Sequence, residues 1–139
     1  MNELDRQNEY IKSFKKRIAL LTTTGATSLI SWFAGLYFLG PEAIPYFAAS
    51  AGIINIIGVI SDLKTTENAL ALGATEMNPT IAPNPNKNEL YGTKQKIFES
   101  IFLTIGMIFP PIGVAEGIDR MNLAIQNFKK TKEFLKQGK

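Results

Sequence analysis

The chain has no cysteine and no histidine among its 139 residues. Without cysteine it forms no disulfide, no thiolate metal site and no thiol nucleophile; without histidine it lacks the commonest metal ligand and general base. Charge is scarce too, but unevenly so. From Ile18 to Ser61 the only charged side chain is Glu42, whereas the first 17 residues carry five basic and three acidic side chains. Residues 116 to 139 carry six basic and three acidic ones. A mean hydropathy of +0.04 is too low for a chain lying wholly in lipid, so the distribution decides. Charge at the ends and apolar mass in the middle is a membrane pattern.

Other absences narrow the chemistry. There is no GxxxxGK[ST], GxGxxG or GxSxG, and the "NPTIAPNPN" loop lacks the carboxylate density of a calcium site. Thr65, Thr66 and Ser100 have no base beyond lysine or carboxylate to activate them. No enzyme activity, no cofactor and no metal are therefore expected. The net charge of +3 sits in the terminal segments without an RNP motif, zinc finger or helix-turn-helix. That favours anionic lipid headgroups over nucleic acid as the partner.

What is present is apolar sequence of membrane length. Residues 18 to 39 are 22 uncharged positions, about 33 Å of helix against a hydrocarbon core of about 30 Å. "GPEAIP" then supplies a helix stop at Gly40 and prolines suited to a first turn. Residues 43 to 61 give a second, just sufficient run. The expectation is an all-α integral membrane protein whose first two spans form a helical hairpin. Lys12, Lys15, Lys16 and Arg17 precede it and Lys64 follows it, so the N-terminus is expected in the cytoplasm and the turn outside.

A chain of this length is one domain. The reading divides it into an amphipathic cytoplasmic arm (1–17), a transmembrane hairpin (18–61), a polar helix with a Pro/Asn loop (62–96), a third hydrophobic segment (97–117) and a basic amphipathic tail (118–139). Small residues at helical spacing, Thr27, Ser31 and Gly35 with Ala48 and Gly52, are expected to bring the first two helices together, the alternative being a seam between copies of the chain. Asn55 is expected to bond across to a Thr or Ser of the first. The third segment, only 16 uncharged residues long and interrupted by Pro110 and Pro111, is either a kinked span or a re-entrant wedge turning at those prolines. Two amphipathic stripes flank it all: Leu4, Ile11, Phe14 and Ile18, and the heptad-spaced Val114, Ile118, Met121, Ile125 and Phe128.

Charge returns at "SDLKTTENALALGATEMNP". On a helix, Asp62, Thr66, Ala69, Gly73 and Glu76 share a face. Asp62 and Glu76 are about 21 Å apart there, too far for a catalytic pair, so the stripe reads as a groove for another helix. An ion pair from Asp62 to Lys94 or Lys96 is the expectation. The pattern Asp62, Thr66, Leu70, Gly73, Glu76, Asn78, Pro79 resembles the signature D-x3-T-x3-L-x2-G-x2-E-x-N-P of a group of small uncharacterised prokaryotic and phage membrane proteins. In that group an apolar helix carries the Asp and Thr, and a later helix carries a lysine. The resemblance implies a membrane address and a structural motif, with no reaction attached.

The functional expectation is a self-associating, multi-pass membrane component of a phage or bacterial envelope, in the bacterial inner membrane or a virion membrane. Its partners would be the bilayer and further copies of itself or another membrane protein, and its hairpin and wedge would shape the bilayer. The alternatives are a holin- or toxin-like pore, with Asn55, Asp62, Glu99 and Glu116 lining a wet path, and a secreted effector inserting into a host membrane.

Overall fold

A computed structural model describes residues 2–76 and 85–137, and all their regular structure is helical. The first helix, α1, runs without interruption from Glu3 to Leu39. It starts where Asn2 accepts a bond from the Asp5 N–H at 2.8 Å, with Glu3 and Asp5 favourably placed at the positive end of the helix dipole. Thr23, Thr24 and Thr27 turn their hydroxyls back onto carbonyls four residues earlier, at 2.8 to 2.9 Å. Their polarity is thus met within the helix.

Gly40, at φ +73°, stops α1 and donates its N–H to Leu36. A single 3-10 turn, Pro41–Ala43, leads into α2, Ile44–Ala71. This helix outruns its apolar stretch by ten residues and closes at Gly73, whose φ of +89° lets Gly73 and Ala74 return N–H bonds to Leu70 and Ala69. The Pro/Asn loop expected within residues 62–96 is helical in part. Asn86 and Glu89 form a reciprocal capping box that starts α3, Lys87–Tyr91.

α4 covers Thr93–Ile108 and α5 covers Pro110–Gln137. Between them Phe109, at φ −125° and ψ 84°, reverses the chain, and Pro110 and Pro111 fill the first turn of α5, where their missing N–H groups leave no bond unmade. The prolines therefore open a helix and do not kink one. α5 runs unbroken across the boundary expected at residue 117 and through the tail.

The packing overturns one expectation directly. α5, not α2, is the main neighbour of α1, and α5 is also the main neighbour of α2. Thr27 and Ser31 are exposed. Gly35 does meet α2, beneath the ring of Phe47 next to the turn, but a Cβ on Gly52 would meet Met107 of α4. The reason is steric: α5 offers Gly113 and Gly117, which admit backbone where α1 presents Thr27 and Ser31. A Cβ on Gly117 would lie 2.7 Å from the backbone of Ile54, and one on Gly106 2.6 Å from the Cα of Gly113.

Burial is inverted relative to a water-soluble bundle. The buried apolar residues are mostly alanine, namely Ala43, Ala51, Ala69, Ala74, Ala115 and Ala124 with Leu90, alongside buried Arg6, Asn55, Asp62 and Asp119. Large apolar side chains such as Ile30, Tyr37, Phe38, Tyr46 and Ile108 stand outside. Two helical stretches, Glu3–Leu39 and Pro41–Ala71, are long and apolar enough to cross a membrane.

Candidate functional site: a buried ion-pair cluster

On α2 the residues Asn55, Gly58, Asp62, Thr66 and Ala69 recur at intervals of three and four, and on α5 so do Gly113, Gly117, Arg120, Ala124 and Asn127. Each set makes one face, and the two faces meet with the helices parallel. Small residues let the backbones approach; polar residues between them then find partners within reach.

Arg120 is the hub. Its Nη1 donates to Asp62 Oδ2 at 3.1 Å and its Nη2 to Glu99 Oε1 at 2.8 Å, with Glu116 Oε1 at 3.8 Å. Gln95 also donates to Glu99 Oε1, at 2.6 Å. One turn further along, Asn127 donates to Thr66 Oγ1 at 2.9 Å and reaches Asp62 Oδ1 at 3.5 Å. Towards the turn at Phe109, Asn55 donates to Glu116 Oε2 at 3.4 Å. The first helix joins through Arg17, whose Nε donates to both oxygens of Asp119 at 3.1 and 3.0 Å. Asp119 is 2% exposed, so this fork replaces the water it has lost.

Four helices thus contribute to one polar layer, set where each apolar stretch ends. Four carboxylates, Asp62, Glu99, Glu116 and Asp119, face two guanidiniums, and Glu99 Oε2 is buried without a hydrogen-bond partner. A cleft of about 140 Å³ between α2 and α4 opens onto this layer at Asn55 and Glu99. Among the described residues no three His, Cys, Asp or Glu side chains converge as a metal site would require. The arrangement is a clamp, with Arg120 holding α2 and α4 against α5 and Arg17 holding α1.

Several expectations change here. Asp62 pairs with Arg120 and not with Lys94 or Lys96, which are exposed on the first turn of α4. A guanidinium already on the facing helix makes two directed bonds, whereas those lysines gain more from water. Asn55 bonds to Glu116 of α5 and not to a hydroxyl of α1. Thr66 lies on the expected face and Gly73 terminates the helix. Glu76, half-buried, lies past that end, so the face shared with Asp62 does not extend to it. Asn78 and Pro79 fall outside the described residues. Arg17, Gln95, Asp119, Arg120 and Asn127 were missed. The signal for the α5 members was the run of small and polar residues spaced like that of α2.

Outside the cluster, α3 is fastened to α2 by Tyr91, whose hydroxyl donates to Glu67 at 3.0 Å. Partial burial, and then this bond to a carboxylate, push the phenol above its ordinary value of 10.

No protein-family model, curated protein or solved structure matches the chain.

Proposed function

We propose that the chain is a non-enzymatic, self-associating membrane protein that shapes or organises the bilayer, with α1 and α2 crossing it and the α4–α5 hairpin entering from the side of the termini. The inverted burial supports the membrane address. None of the most apolar 18-residue window of α1 is buried, whereas the core helix of a soluble protein is mostly covered. Small residues at helix contacts and polar groups paired inside are what lipid solvent favours. The Asp62 to Pro79 signature is read the same way.

The observation that carries the function is the depth of the hairpin. Its tip packs Phe109 edge-on against Trp32, ring centres 5.0 Å apart, about two-thirds along the apolar run of α1, and Met107 against Gly52, at the middle of that of α2. From the tip to Arg120 is about 15 Å of helix, half a hydrocarbon core. Three helices and a hairpin arm therefore displace lipid in one leaflet where only two displace it in the other, which is a wedge. The pore alternative is disfavoured because Asp62, Glu99 and Glu116 all turn to Arg120 within the chain.

The test uses single cysteines in this cysteine-free chain, Glu42→Cys, Lys87→Cys and Gln137→Cys, with a membrane-impermeant thiol reagent. Residue 42 is expected to label on intact cells, and residues 87 and 137 only after permeabilisation. Labelling of residue 137 together with 42 would make the third segment a crossing and sink the wedge. Reconstitution into vesicles then reads the function itself: narrowed or tubulated vesicles are expected, and ion leakage with unchanged vesicle shape would favour a pore.

A further inference from the structure

Two apolar stripes on the arms beyond the polar layer have no cover among the described residues. On α1, Leu4, Ile11, Phe14 and Ile18 are exposed, Ile11 by 51%. The face that α1 turns to α5 is a different one, carrying buried Arg6 and half-buried Tyr10, Ser13 and Arg17. On α5, Ile125 and Leu135 are both 55% exposed, with Phe128 between them. This is a third face of α5, the other two being taken by α1 through Asp119 and by α2 through Arg120 and Asn127. The helical spacing puts the two stripes on opposite sides of the α1–α5 pair. They cannot cover each other within one chain.

Nor does lipid cover their outer residues in the proposed orientation. Ile11 and Ile125 each lie six residues, about 9 Å, beyond the Arg17–Asp119 pair. The headgroup layer is only about 5 to 8 Å deep on each side of the core. Leu4 and Leu135 are further out still.

We infer that a second copy of the chain covers them, the α1 stripe of one copy packing antiparallel on the α5 stripe of the next in a head-to-tail array. Copies inserted in the same sense stand at the same height, and the stripes are matched in height. Counting from the Arg17–Asp119 pair, Ile18 is level with Ile118, Phe14 with the turn holding Met121, Ile11 with Ile125, and Leu4 with the interval from Phe128 to Leu135. Charge selects this pairing over the symmetrical one. By helical spacing Glu3 flanks the outer end of the α1 stripe, with Asp5 and Glu9 on the far side of that helix, while Lys129, Lys132 and Lys136 flank the outer part of the α5 stripe. Head-to-tail contact brings the acidic end beside the basic one; pairing α5 with α5 would set the lysines face to face. Such a contact is heterologous, so it propagates until it closes into a ring or runs on as a filament. This deepens the self-association proposed above and rests on that membrane reading.

The experiment mixes two full-length chains in one membrane, one carrying Ile11→Cys and the other Ile125→Cys, and oxidises them. A disulfide-linked dimer is expected only when both are present, and its yield should fall severalfold on Lys129→Glu with Lys132→Glu in the Ile125→Cys chain. Dimers from Ile125→Cys alone would overturn the head-to-tail geometry. No dimer in any combination would overturn association through these faces. Thiol labelling of residue 42 in the same membranes separates the two readings: external labelling without cross-linking removes this inference and leaves the membrane topology standing, while failed labelling removes both.

Discussion

Arg17 and Asp119 are 102 positions apart in the chain, yet Nε of the arginine donates to both carboxylate oxygens at 3.1 and 3.0 Å. Asp119 cannot recover these bonds from water, because its side chain is 3% exposed. Replacing Arg17 by alanine strands a buried carboxylate, and Arg17→Ala should lower stability by about 3 to 5 kcal/mol. Thermal unfolding in detergent checks this. The double variant Arg17→Leu with Asp119→Leu should recover most of the loss, since no unpaired charge remains.

The hub predicts a hierarchy. Arg120→Leu removes the guanidinium shared by Asp62, Glu99 and Glu116 and should be the most damaging single change in the cluster. Asp62→Asn should cost less, because Glu99 continues to hold Arg120. Lys94→Ala and Lys96→Ala should stay within about 0.5 kcal/mol, as exposed side chains usually do. Equal losses from Lys96→Ala and Asp62→Asn would contradict the assigned partner.

Backbone proximity at the α2–α5 seam gives a test independent of charge. Gly117→Ala puts a methyl 2.7 Å from the backbone of Ile54, and since backbone cannot swing aside, the helices must separate at a cost of about 1 to 3 kcal/mol. Gly25→Ala meets Ala115 at an ordinary 3.8 Å and should be neutral or slightly stabilising through helix propensity. Comparing the two melting temperatures separates close packing from a general dislike of added methyl groups.

Tyr91 offers a pH test. Its phenol is raised above 10 in the folded state, so the folded chain holds this proton more tightly than the unfolded one. The contribution is complete below pH 10 and is lost as pH climbs through the folded value. Tyr91→Phe should cost about 1 kcal/mol at pH 8. Denaturation midpoints of the two chains should converge as the pH rises above 10, and a constant gap would show that the phenolic proton is not involved.

The elements were largely legible in the sequence because their causes are local. Twenty-two uncharged residues make a long apolar helix wherever they are placed, and Gly40 followed by Pro41 ends one helix and begins another through φ and ring geometry alone. Pro110 and Pro111 marked an interruption for the same reason. Whether that interruption was a kink or a reversal depended on Gly106 finding Gly113, which no local rule contains. The short helix at Lys87–Tyr91 was hidden by the prolines before it, although Asn86 and Glu89 are the capping pair that forms it.

What the sequence determined by itself, then, was the helical class, the positions of the long apolar stretches and the need for a partner at Asp62. Which partner, and which helices touch, only the tertiary structure decided. Helical spacing says which residues share a face, but not which face meets which between residues 58 positions apart. The nearest lysines in sequence, Lys94 and Lys96, were reasonable partners until α5 came between α1 and α2. It fits there because Gly113 and Gly117 let its backbone reach α4 and α2, and that approach delivers Arg120 to Asp62 and Asp119 to Arg17.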